Sequence, residues 1–183
     1  MLDHTPEQGE LFSQPGIGSD DSVGYRGPTA CAAAGITYRQ LDYWARTGLV
    51  VPSVRSAAGS GSQRLYSFKD ILVLKVVKRL LDTGVSLQNI RLAVDTLRER
   101  GVEDLARITL LSDGTTVYEC TSSEEVVDLL RGGQGVFGIA VSGALRELAG
   151  SLATLPSERT DGAVPAEAAD ELTRRRQRRT ATG

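Results

Sequence analysis

Arg39, Asp42, Tyr43 and Arg46 recur at i, i+3, i+4 and i+7, the spacing that places four side chains on one face of a helix. Two guanidiniums beside a phenol can grip an anionic partner. A guanidinium fork fits a phosphate, a carboxylate or a guanine edge bidentately. Leu41, Trp44 and Ala45 fall on the opposite side and form the face that packs inward. Any amphipathic helix has a polar face, so this stripe takes its meaning from its neighbours. Tyr38 stands at the start of the same helix, where a phosphate oxygen would meet free backbone N–H groups.

Further cations follow within thirty residues. Arg55 and Arg64 flank a Gly/Ser-rich stretch, and Tyr66, Lys69 and Lys75 come after it. Long cationic donors on an adaptable segment suit a phosphate backbone, where contacts set position rather than sequence. Catalytic chemistry is not legible. Cys31 and Cys120 are too far apart for a metal-ligand motif, and the single histidine, His4, lies near the N-terminus. There is no paired-acid, Ser/His or Cys/His set, so the reading is not an enzyme, with no metal and no cofactor. The glycine cluster at 132–135 lacks the Lys-Ser/Thr of a phosphate loop and reads as a turn.

Net charge is −2, but it is unevenly distributed. Residues 1–35 carry a net −4, residues 36–100 a net +6 and residues 101–183 a net −4. A basic middle between acidic flanks is the electrostatic footprint of a polyanion site. No apolar run approaches the roughly 18 residues of a membrane span, and the acidic, polar N-terminus does not resemble a signal peptide. The expected location is the cytoplasm.

Several elements must hold these residues in place. Thr37 and Gln40 form a capping-box pattern ahead of a helix from about Tyr38 to Thr47, which Gly48 ends. Before it, "GPTACAAAG" predicts a short helix of small residues opened by Pro28 and closed by Gly35. Helix, glycine turn and capped helix make a helix-turn-helix. Val50–Val51 and Leu65–Tyr66 are expected to pair as short strands around the Gly/Ser tip, forming a wing. Ser67 and Asp70 cap a third helix with an apolar stripe at Ile71, Leu74, Val77 and Leu81, widened by Leu72, Val76 and Leu80, and with Lys75, Lys78 and Arg79 opposite. Ser86 caps a fourth, running to about Arg100 and facing inward through Ile90, Ala93, Val94 and Leu97.

"GITYRQLDYWARTGLVVPS" followed by "SQRLYSFKDILVLKVVKRLLDTGVSLQNIRLAV" resembles the DNA-binding domain of the MerR family of bacterial transcription regulators, over roughly Pro28 to Arg100. The recognition helix running into a "GLV-P" turn, the "R-L-Y" strand and the "TGVSLQNIR" link carry the resemblance. It is also similar to an actinobacterial sub-group in which a compact α/β segment follows. The resemblance implies a dimeric, sequence-specific regulator of promoter DNA, with Arg39, Tyr43 and Arg46 facing the major groove. Tyr38, Arg55, Arg64 and Tyr66 would then meet the backbone, with Lys69 and Lys75 at the flanks. Asp42 departs from the family pattern. It is unfavourable near phosphates unless it pairs with Arg39 or Arg46 or accepts from a cytosine amino group.

After Gly101 the family's long coiled-coil helix is not expected, because "SDGT" and the glycines at 132, 133 and 135 break any heptad. A hairpin over Ile108–Leu111 and Thr116–Cys120, a capped helix from Ser122 to Arg131 and a last helix from Ser142 to Leu155 are expected instead. The fold class is mostly α with short β-hairpins (α+β): a winged helix-turn-helix of four helices over 27–101 and a small hairpin-and-helix unit over 102–155. Residues 1–26 and 156–183 read as disordered tails, the second ending in an arginine-rich run. Val136, Phe137, Ile139, Val141, Leu145 and Leu148 are the expected dimer interface. The alternative is a protein-interaction adaptor on the same scaffold, with RNA polymerase or a division factor as its partner. No small-molecule effector site is legible.

Overall fold

The computed structural model describes residues 22–56, 63–132 and 137–160. Seven helices and two small antiparallel sheets, an α+β arrangement, make up these residues. The elements run β1 (Val23–Arg26), α1 (Gly27–Ala34), α2 (Tyr38–Arg46), β2 (Leu65–Tyr66), α3 (Phe68–Asp82), α4 (Leu87–Glu99) and α5 (Val102–Leu105). They continue with β3 (Thr109–Ser112), β4 (Val117–Cys120), α6 (Ser123–Arg131), β5 (Phe137–Ala140), α7 (Val141–Leu152) and β6 (Glu158–Arg159).

Local chemistry fixes the helix starts. The Thr37 hydroxyl accepts from the Gln40 N–H at 3.2 Å, and Gln40 Oε1 accepts from the Thr37 N–H at 3.0 Å. Ser67 and Asp70 repeat the reciprocal pair ahead of α3. Ahead of α6 the pattern shifts by one residue: Ser122 caps the Glu125 N–H, but the Glu125 carboxylate accepts from Thr121 rather than from Ser122. Each such cap satisfies donors that a helix start leaves open and stabilises it by about 1 kcal/mol.

α3 is the central element. Ile71, Leu72, Val73, Leu74, Val76, Val77 and Leu80 are all buried, Val73 beyond those expected and Leu81 only partly covered, because α1, α4 and α7 pack around the helix. α1 supplies Ala30, Ala33 and Ala34 to that core, and their small size lets the helix approach closely. The β3–β4 hairpin turns at Asp113, whose carboxylate accepts from the N–H groups of Thr115 and Thr116 at 2.8 and 2.6 Å.

Four expectations are corrected. Leu65–Tyr66 pair with Tyr25–Arg26 rather than with Val50–Val51, in a sheet ordered β2-β1-β6. The reason lies at the end of α2, where the Leu49 and Val50 N–H groups both donate back to the Trp44 carbonyl and keep that segment from extending. Only at Arg55 does the returning chain bridge to Leu65. Second, strand β1 lies in the stretch assigned to the N-terminal tail and β6 in the stretch assigned to the C-terminal one. The two pair antiparallel through Val23 with Arg159 and Gly24 with Glu158. On the β2 side of the same strand, Gly24 permits close packing, since a Cβ there would sit 2.9 Å from Leu65 Cβ. Third, Phe137–Ala140 form the third strand of the β4-β3-β5 sheet. Fourth, Ile139, Val141, Leu145 and Leu148, expected at a dimer interface, are buried within the single chain, and Phe137 packs against the same core. α1 and α3 pack against α7, and β3 and α7 pack against β5. Val136, the Gly/Ser tip at 57–62 and the arginine-rich run at 174–179 lie outside the described residues.

Candidate nucleic-acid interface

The outward face of α2 carries what its spacing predicts. Tyr38 is 64% exposed and Tyr43 46%, and Arg39 and Arg46 are exposed beside them. Leu41 and Trp44 are buried on the opposite side. Arg39 forms no ion pair among the described residues, so its full donor set faces outward.

Asp42 is the electrostatic hinge of the site. Its carboxylate accepts from Arg46 Nε on its own helix and from Arg64 on the returning strand, each at 2.8 Å. The Arg64 hydrogen bond holds the carboxyl below its usual range, and the Arg46 cation adds to the effect. Asp42 therefore meets one of the conditions set for it, by pairing with Arg46, and gains a partner in Arg64 that the sequence did not suggest. The pairing ties α2 to the segment entering β2.

Arg55 is half-exposed, with Nε donating to the Gln63 carbonyl at 3.2 Å and the guanidinium 3.7 Å from Glu158. Tyr38, Arg39, Asp42, Tyr43, Arg46, Arg55 and Arg64 thus stand on α2 and on the two chain segments that meet at Leu65. A hollow of about 460 Å³ between them is lined by Arg26, Gly27, Tyr38, Asp42, Arg64 and Tyr66, among others. Gly27 shapes one wall: a Cβ there would lie 3.1 Å from the Tyr38 ring.

Three expected contacts are placed elsewhere. Tyr66 is fully buried at the foot of that hollow beside Arg64, and burial pushes its phenol up to about 12, so it does not reach the surface. Lys69 turns inward, Nζ donating to the Arg98 carbonyl in the last turn of α4 at 2.5 Å. Lys75 donates to the Ala33 carbonyl and pairs with Glu147, both at 3.3 Å, while Arg79 pairs with Glu147 at 2.7 Å. The basic face of α3 is therefore covered by α7. A helix wheel cannot show this, because the neutralising acid lies about seventy residues away.

Positioning residues missed in the sequence stand on α4. Arg91 donates to the Thr47 carbonyl at 3.0 Å, and Arg98 to the Gly48 and Leu49 carbonyls at 3.2 and 2.6 Å. They satisfy the carbonyl end of α2 and fix the turn that follows it. Asp70 does the same one segment later: its Oδ2 accepts from the Ser53 N–H and hydroxyl at 2.7 and 2.8 Å and from the Ser67 N–H at 2.9 Å. No cluster of three or more His, Cys, Asp or Glu gathers among the described residues, and no described helix is long and apolar enough to cross a membrane.

A small-residue helix, a glycine turn and a capped helix with a cationic, aromatic outer face define a helix-turn-helix protein. Residues 25–97 match the family described as MerR HTH family regulatory protein. Uncharacterized HTH-type transcriptional regulators of Mycobacterium tuberculosis and Mycobacterium bovis are each 74% identical over 172 residues, spanning 91% of this chain and 76% of their own length. The HTH-type transcriptional regulator HmrR of Sinorhizobium medicae is 30% identical over 83 residues, 44% of this chain and 54% of its own length. The chain belongs to the MerR family of helix-turn-helix regulatory proteins. It is a transcriptional regulator and not an enzyme.

Proposed function

We propose that the protein binds promoter DNA sequence-specifically as a homodimer in the cytoplasm, α2 lying in the major groove and the segment between Arg55 and Arg64 acting as a wing on the backbone. The observation that carries this is the exposed Arg39, Tyr43 and Arg46 face, held beside Arg64 by Asp42. Nine residues of helix span about 14 Å, comparable with the roughly 12 Å width of the major groove. In this reading Arg39 is the principal base reader, since its donors are unoccupied. Arg64 and Arg55 set the register on the phosphates, and Tyr38 stacks at the groove edge. Tyr66, Lys69 and Lys75 support the interface from within. A helix-turn-helix reads only a few base pairs, so two copies at half-sites one helical turn apart are required for a useful operator.

Electrophoretic mobility shifts on selected genomic fragments, titrated with salt, test the reading. Affinity should fall steeply and log-linearly with salt, and selected fragments should outcompete random ones. Salt-insensitive binding, or none, would leave an adaptor that uses the same face on another protein.

A further inference from the structure

Glu158 on β6 reaches two arginines. Its Oε1 accepts from Arg26 Nε on β1, and its Oε2 stands 3.7 Å from Arg55 Nη2 on the chain that returns to Leu65. Strand register brings the three together. β6 pairs with β1 through Glu158 and Gly24, β1 pairs with β2 through Arg26 and Leu65, and Leu65 bridges on to Arg55. The side chains of Arg26 and Arg55 are each about half exposed, so both stay open to a ligand. Two guanidiniums against one carboxylate leave one net positive charge. A guanidinium held through Nε also keeps both terminal nitrogens for a second partner.

Arg26 lines the same hollow as Tyr38 and Arg64. It stands at the start of α1, whose first turn carries no acid and no side-chain cap. The positive end of that helix dipole therefore adds to the guanidiniums at the rim instead of being cancelled. The arrangement repeats that around Asp42: one carboxylate between two arginines, one of them held through Nε.

We propose that Arg26 is a further contact to the DNA backbone and that Glu158 is its positioning residue, holding Arg26 and Arg55 together where they face the phosphates. This rests on the reading that α2 and the wing bind DNA. Glu158 lies beyond the 25–97 stretch that matches the family, so the C-terminal strand β6 becomes part of the DNA-binding surface. The acid exchanges strength for register. It lowers the charge offered to any duplex, and it fixes two forks so that they meet phosphates in one alignment.

Mobility-shift titrations against salt, with the full chain on a selected and a random duplex, test it. Arg26→Ala should weaken both duplexes alike and lower the salt slope by about one, as the cluster loses its net charge. Glu158→Gln leaves two cations unopposed. It should raise affinity for the random duplex by up to about fivefold, steepen the slope by about one and narrow the selected-to-random ratio. Combined with Arg26→Ala it should return the slope to that of the parent. In a chain carrying both Arg26→Ala and Arg55→Ala, Glu158→Gln should change nothing, because the acid acts through those two side chains. Backbone groups make the β1–β6 pairing, including the bond from the Thr160 N–H to the Ser22 carbonyl at 2.7 Å, so melting temperatures should stay close to the parent's. Melting that falls in step with affinity would make the cluster structural and overturn the proposal. An Arg26→Ala chain that binds both duplexes like the parent, or a Glu158→Gln effect that persists without the two arginines, would overturn it and leave the α2 reading standing. A parent that shifts neither duplex would remove both.

Discussion

Asp42 places a carboxylate among the cations proposed to meet phosphates, and its two arginine partners explain how it is tolerated. Neutralising it should release both guanidiniums. Asp42→Asn is expected to raise affinity for random DNA and steepen the salt slope by up to about two, while narrowing the preference for selected sites, as mobility-shift titrations would show. The carboxyl is held low in the folded protein, so its contribution is complete above the unfolded value of about 3.9 and fades only as pH falls through the lower folded value. The clamp therefore persists throughout the neutral range. Arg39→Ala should weaken binding to a selected site by about 1–3 kcal/mol with thermal stability unchanged. Equal binding by parent and variant would remove Arg39 as the reader. Tyr66→Phe gives the opposite signature. It deletes a buried hydroxyl beside Arg64 and should change the stability of the fold by no more than about 1 kcal/mol while leaving DNA affinity intact. A loss of DNA affinity without a change in melting would instead mean that the hydroxyl reaches the ligand.

At the scale of elements, α2 is fastened at both ends. Thr37 and Gln40 close its N-terminus, and Arg91 and Arg98 satisfy carbonyls at and just beyond its C-terminus. A reading helix must hold its side chains to within a fraction of an ångström, and fraying of the first turn would displace Tyr38 and Arg39 together. Thr37→Ala should cost about 1 kcal/mol in chemical denaturation and lower DNA affinity in parallel. Intact affinity in that variant would show that DNA itself orders the turn. The two-residue strand β2 relies on its neighbours: it pairs with β1, bridges to Arg55 and runs directly into the Ser67–Asp70 cap of α3.

At the scale of the whole molecule, α7 joins the same hydrophobic core as α1, α3 and α4, although it lies beyond the stretch that carries the family resemblance. The first and last described strands meet where β6 pairs with β1. Leu148→Ala, in α7, should destabilise the fold by about 2–5 kcal/mol, and the loss should be reported by the fluorescence of Trp44 in α2. Circular dichroism and Trp44 emission should follow one shared transition. Separate transitions would mean that the C-terminal segment folds independently. For the same reason a fragment ending at 101 should melt well below the full chain, since it exposes the faces of α1 and α3 that α7 covers.

By itself the sequence determined the helix starts, the turns and the two faces of α2, because capping, glycine placement and a 3.6-residue period act within a few positions of one another. It also showed the cationic middle of the chain. The fate of individual cations was decided by tertiary structure. Arg46 and Arg64 share one carboxylate, Lys69 caps α4, and Lys75 and Arg79 are neutralised by Glu147 from α7. The apolar run at 137–148 met the pattern of an exposed interface as well as that of a core. Periodicity identifies an apolar face but not what covers it, and here elements of the same chain cover it, α1 and α3 against α7 and β3 against β5. Leu65 and Tyr66 were identified as a strand, but with the wrong partner. Pairing across some forty residues depends on where the backbone at Trp44 turns back and on the space that Gly24 leaves open, and neither is recorded in the local sequence.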